Sequence, residues 1–188
     1  MKALIVKMDP KGDDVVVNSG RVIVDSAMVR AADPLFIPDH LGEWTGQVCP
    51  AVRISKLGTN IPEQFANRYY DAISFVMTLE PTANQIPKGL LGAVDRTLAL
   101  GNWLPLEDFT DKAITLEVNY AEFNHKRTYD FIPTLFQLTV SRLSKYTTLK
   151  TGDIIGISPS VYPEFKLREN EVVEAFINEK KALNVRLT

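Results

Sequence analysis

The segment that most constrains this chain is Phe131 to Pro159, FIPTLFQLTVSRLSKYTTLKTGDIIGISP, where a helical period gives way to a turn and then to a buried strand. Asp130 can cap and Pro133 can open a helix, since proline's fixed φ and missing donor do no harm in a first turn. Leu135, Leu138, Arg142 and Tyr146, flanked by Phe136, Val140 and Leu143, recur near the helical period and predict one broad buried face. Thr147-Thr148 ends that period, Lys150 to Asp153 reads as a turn, and Ile154-Ile155 opens a buried strand. A helix that delivers a Gly-Asp turn into a strand is one way to present backbone groups to a small ligand.

Elsewhere extended segments dominate. Ala3 to Met8 reads as a strand, and Val15-Val16-Val17, Asn18-Ser19-Gly20 and Val22-Ile23-Val24 read as a hairpin. Ala31 to Pro38 is extended, Asp39 to Gly46 is a polar loop, and Ala51 to Lys56 is a strand. A short helix begins at Asn60 to Glu63 and buries Phe65, Tyr69 and Tyr70. Ile73 to Glu80 alternates, with Ile73, Phe75, Met77 and Leu79 on one face and Ser74, Val76, Thr78 and Glu80 on the other. Further strands are expected at Ile114 to Tyr120, Val172 to Ile177 and Leu183 to Leu187. The class is mainly β with two short helices (α+β). Residues 1–25 form an N-terminal strand and hairpin, and residues 26–188 form the main domain.

At 188 residues the chain can bury a real core. A net charge of −2, with basic and aromatic residues scattered, gives no footprint for nucleic acid. No apolar run approaches the roughly 20 residues that cross a bilayer, and MKALIVKMDP is too soon charged for a signal peptide. The expectation is a cytoplasmic protein. Cys49 is the single cysteine, which excludes an internal disulfide.

Motifs for chemistry are sparse. His40 and His125 have no ligand-spaced partner and read as exposed or capping histidines. Cys49 reads as a packed thiol and the Glu107, Asp108 and Asp111 run as a solvated loop. No GxSxG, P-loop or GxGxxG pattern occurs.

The order of segments is more specific than any one of them. AVRISKLG, the helix ending at Tyr70, ISFVMT, Asp95, Gly101-Asn102-Trp103, Val118-Asn119, TYDFI and Ser144 followed by TLKTGDII resemble the fumarylacetoacetate hydrolase family over roughly residues 25 to 188. That resemblance implies a mixed β-roll, usually a homodimer. It also implies metal-dependent hydrolysis, decarboxylation or isomerisation of small 2-oxo and 1,3-dicarbonyl acids with Mg²⁺ or Mn²⁺.

The family's metal ligands do not carry over. Its Glu-x-Glu pair falls at Gln47 and Cys49, its metal-binding Asp at Thr78, and a family lysine at Gly92. Asp95, Asn124 and Ser158 are the positions the resemblance leaves as pocket candidates. Losing three carboxylates removes three formal charges, each contributing on the order of 4 kcal/mol of attraction at an effective dielectric of about 20. Mg²⁺, a hard and reluctantly dehydrated ion, is not held by such a set.

Two functional readings follow. One is a non-catalytic member that binds a small carboxylate or serves as a partner subunit, with no cofactor. The other is an active hydrolase, decarboxylase or isomerase with a rebuilt metal site. Such a site would draw on His40, Glu43, Gln47 and Cys49, where a thiolate with an imidazole suits Zn²⁺ or Fe²⁺, or, if the register slips, on Glu43 or Glu80 with Mg²⁺ or Mn²⁺.

Overall fold

Runs of β-branched and aromatic residues fill the extended segments and form the strands. A computed structural model of the chain describes residues 1–11, 14–30, 33–37, 42–82, 86–109, 114–121, 123–129, 132–159 and 164–188. Its first strands are β1 (Lys2–Lys11), β2 (Asp14–Val24), β3 (Met28–Arg30), β4 (Trp44–Ile54), β5 (Tyr70–Pro81), β6 (Leu98–Leu100) and β7 (Leu104–Pro105). They are followed by β8 (Ile114–Tyr120), β9 (Phe123–Tyr129), helix α1 (Ile132–Ser144), β10 (Ile154–Pro159), β11 (Phe165–Lys166), β12 (Val172–Ile177) and β13 (Lys180–Arg186). The protein is thus mainly β, with α1 and a 3₁₀ helix at Glu63–Tyr69 where two short helices were expected.

Nine strands form one sheet in the order β2-β1-β10-β4-β5-β6-β3, with β11 also on β4 and β7 also on β5. A second sheet runs β13-β12-β8-β9. The strand β5 shows why both faces of the large sheet are filled. Ile73, Phe75, Met77 and Leu79 enter a core shared with Val118, Val173, Leu183 and Phe136. On the other face Val76 joins Ile5, Cys49, Ala51 and Ile154 in a smaller cluster, with Ser74 and Thr78 also buried.

The N-terminal hairpin is integral to the large sheet. β1 pairs parallel with β10, from Ala3 opposite Ile154 to Met8 opposite Pro159. The Asp153 carboxylate holds this register. It accepts the Lys2 N–H at 3.0 Å and the Lys150 N–H at 2.9 Å, and it pairs with the Lys2 ammonium.

Several boundaries differ from expectation. Asn18-Ser19-Gly20 is not a turn: β2 runs through it, and the register steps from Lys7–Ser19 to Met8–Val17, leaving Asn18 as a bulge. Strand β4 begins at Trp44, seven residues before Ala51, because pairing with β5 extends to Trp44 opposite Pro81. The helix at Glu63–Tyr69 is 3₁₀; Phe65 is exposed, and Tyr70 already belongs to β5. Helix α1 stops at Ser144, so Tyr146 lies outside the apolar face and is 85% exposed. Serines replace apolar packing at that end: Ser141 Oγ donates to the Ile61 carbonyl and the Ile61 N–H donates to Ser144 Oγ, both at 2.8 Å. The polar run FNHKRTY forms β9 because β8 supplies its ladder. Asp130 lies outside the described residues. No helix among the described residues is long and apolar enough to cross a membrane.

Candidate functional site

In a strand, alternate residues share a face, so register decides which side chains meet. β4 and β5 place Gln47 opposite Thr78 and Cys49 opposite Val76. Gln47, Cys49, Thr78 and Glu80 therefore gather on the face of the smaller apolar cluster. The parallel pairing of β1 with β10 brings Lys7 opposite Ser158, and that of β1 with β2 brings Arg21 opposite Ile5. Together these strands wall a cleft of about 650 Å³ whose lining includes Lys7, Arg21, Gln47, Glu80 and Ser158.

Beneath the cleft, its lining residues Gln47 and Ser158 join a buried set of hydrogen bonds. Ser158 Oγ donates to Gln47 Oε1 at 2.5 Å, and Thr78 Oγ1 donates to the Gln47 carbonyl at 3.4 Å. Gln47, Thr78, Cys49 and Ser158 are all buried. At the rim, Arg21 Nη2 donates to Glu80 Oε1 at 2.9 Å, and both side chains are largely covered.

Burial pushes the Cys49 thiol up to about 12, against the opposing pull of the Ser158 hydroxyl, Arg21 and Lys7. A thiol in that state is not a nucleophile at neutral pH. The native protein is accordingly expected to resist a water-soluble disulfide reagent at pH 8 and to react fully once unfolded. Prompt native labelling would identify a reactive thiolate instead.

This donor set does not fit Mg²⁺ or Mn²⁺, which take anionic oxygens. Gln47, Cys49 and Thr78 offer an amide oxygen already accepting from Ser158, a protonated thiol and a hydroxyl. Glu80, the carboxylate among the lining residues, is neutralised by Arg21. No group of three His, Cys, Asp or Glu among the described residues is placed to hold a metal.

The other sequence candidates lie elsewhere. Glu43 is 75% exposed and pairs with Lys166 at 3.5 Å. Asp95 is exposed and does not line the cleft. Asn124 is exposed on β9 in the second sheet, where its Nδ2 donates to Asn119 Oδ1 at 2.6 Å. His40 lies outside the described residues. Gly92, at the position the family resemblance gives to a lysine, lines the cleft with no room for a side chain: a Cβ there would sit 1.8 Å from the Val22 carbonyl oxygen of β2. Sequence reasoning missed Lys7 and Arg21. Nothing local marks them, because only the long-range pairing of β1 with β10 brings the hairpin to the cleft.

Residues 25–187 match the family model described as fumarylacetoacetate (FAA) hydrolase C-terminal. No curated protein sequence matches the chain. Among solved structures, the fold is similar to fumarylpyruvate hydrolase from Pseudomonas aeruginosa in complex with Mn²⁺ and pyruvate. The TM-score is 0.79 at 16% identity, covering 100% of this chain and 89% of that one. It is also similar to 2-hydroxyhepta-2,4-diene-1,7-dioate isomerase from Mycobacterium marinum, with TM-score 0.80, 14% identity and coverage of 100% and 74%. A third likeness is 5-carboxymethyl-2-hydroxymuconate delta-isomerase from Mycobacterium smegmatis, with TM-score 0.77, 14% identity and coverage of 100% and 78%. Identities this low establish a shared fold.

Proposed function

This chain belongs to the fumarylacetoacetate hydrolase family, and we propose that it is a member without the metal-dependent reaction whose cleft binds a small carboxylate. One observation carries this reading. Gln47, Cys49 and Thr78, at the positions the family resemblance assigns to metal-holding carboxylates, lie together as a buried set with Ser158, and the nearby Glu80 is tied to Arg21.

The chemistry of those groups favours binding over turnover. A divalent ion in such a cleft would act as a Lewis acid on a carbonyl, and this donor set does not retain one. The remaining polar groups are hydroxyl and amide with two cationic side chains at the rim, a composition that recognises an anion without polarising its carbonyl. The same reading includes a homodimer, which light scattering in solution tests directly.

Turnover separates this proposal from a rebuilt enzyme. With fumarylpyruvate or oxaloacetate as substrate, the protein is expected to add nothing to the rate measured with Mn²⁺ or Mg²⁺ alone. It is expected to gain thermal stability from small carboxylates in the presence of a chelator. Protein-dependent turnover with either ion, or tight Zn²⁺ uptake lost on Cys49→Ala, would overturn the proposal.

A further inference from the structure

We infer that Arg21 and Lys7 form a metal-independent receptor for a short dicarboxylate, with Glu80 as a resident anion that the ligand displaces. This rests on the carboxylate-binding reading and names the groups and ligand class at that cleft.

The register puts the two cations on one side of the hairpin. Ile5 stands opposite Arg21 and Lys7 opposite Ser19, so Lys7 and Arg21 are diagonal cross-strand neighbours, about 7 Å apart at their stems. Both line the cleft, and their flexible side chains can converge on two carboxylates joined by one or two carbons. Apolar Ile5, Val22, Ile86 and Leu91 complete the wall, leaving room for the methylene portion and weakening solvent screening of the charges.

Each cation is held in an exchangeable way. Among the described contacts, Glu80 engages Arg21 through one oxygen, whereas a guanidinium can offer a carboxylate two parallel N–H groups. Lys7 meets Glu164 at 3.4 Å, and both side chains are about half exposed, so that pair is worth little. Once Glu80 swings aside, two positive charges face the ligand, which matches a dianion. The Ser158 hydroxyl, its proton given to Gln47 Oε1, lines the cleft beside them without adding charge. A side-chain cation would then stand in for the divalent ion of the family as the anchor for the anion, without its Lewis acidity.

The pair has a signature that a purely structural ion pair lacks: its two members act on affinity with opposite sign. Calorimetric titration with malonate in EDTA tests it, with acetate as the single-carboxylate control. Arg21→Gln is expected to weaken malonate about 30-fold and Arg21→Lys less, as loss of charge-assisted hydrogen bonds does. Glu80→Gln is expected to tighten it about fivefold by removing the competing anion. Lys7→Gln is expected to erase the preference of malonate over acetate. Circular dichroism confirms that each variant is folded. If malonate binds the wild type but Arg21→Gln leaves its affinity unchanged, or Glu80→Gln weakens it, this assignment fails while carboxylate binding stands. If neither malonate nor pyruvate binds the wild type or Glu80→Gln, both the assignment and the carboxylate reading beneath it fall.

Discussion

Gly101→Ala is expected to destabilise the protein by about 4 kcal/mol and lower its melting temperature by about 10 °C. An added Cβ would lie 2.2 Å from the Ala182 carbonyl oxygen, 2.7 Å from the Phe75 carbonyl oxygen and 2.8 Å from Ser74 Oγ. Two of these are backbone atoms in different sheets, so no rotamer change can relieve the clash. The same joint carries hydrogen bonds: the Gly101 N–H donates to Phe75 O at 3.0 Å and the Asn102 N–H to Ala182 O at 2.7 Å. Ser74 Oγ adds a bond to the Asn102 carbonyl at 2.8 Å. Spreading the strands to fit a methyl group would lengthen these bonds at a joint where Phe75, Ala182 and Ser74 are buried, so that each lost bond costs about 1–3 kcal/mol. Gly152→Ala is the informative control. Its φ of +88° strains any L side chain, yet nothing lies within 4 Å of the new Cβ, so about 1 kcal/mol is expected. Urea melts of the two variants decide the matter; equal midpoints would mean that the joint at Gly101 is soft.

Asp153→Ala is expected to cost about 3 kcal/mol, chiefly through the partners it strands. Asp153 is 1% exposed, and its removal leaves the Lys2 and Lys150 N–H groups without their acceptor and the Lys2 ammonium with the Thr148 carbonyl but no counter-charge. Because Lys2 opens β1, the loss loosens the strand that carries the hairpin to the cleft. The carboxylate also makes stability depend on pH. Burial opposes its ionisation, but the hydrogen bonds and charge of Lys2, with the Lys150 N–H, overcome this and hold its pKa below the ordinary 3.8. A carboxyl group depressed on folding stabilises the native state fully above its unfolded value. That contribution falls away as the pH drops below 3.8 through the folded value. Glu117, held low by Lys126 and Asn119, has the same sign and is common to both proteins, so it cancels in the comparison. Urea unfolding from about pH 6 down to about pH 3 should show the wild type losing its advantage over Asp153→Asn. A constant difference across that range would remove Asp153 from the account of acid stability.

The local patterns were legible where a strand answers to its own residues. The alternation of ITLEVNY and VVEAFI sets the bounds of β8 and β12, and the two faces of ISFVMTLE enter two separate apolar clusters. The Thr-Gly-Asp turn before β10 was legible for the same reason, since a left-handed glycine is a local demand. Segments that depend on a neighbour were not. FNHKRTY and the stretch from Trp44 to Pro50 become strands through partners already in place, and Asn18 is absorbed as a bulge because β1 runs alongside.

Residue order alone determined the mainly β class and the family likeness, and it put an amide, a thiol and a hydroxyl at Gln47, Cys49 and Thr78. Those properties reside in side-chain identity and short-range periodicity, which survive without coordinates. Tertiary structure decided which charges gather beside those side chains. The parallel pairing of β1 with β10 joins residues some 150 positions apart, such as Lys2 and Asp153, and so carries Arg21 onto Glu80 and Lys7 to the rim. Electrostatics at a cleft depends on distance in space, and the sequence spacing of 59 between Arg21 and Glu80 holds no trace of the 2.9 Å at which they meet.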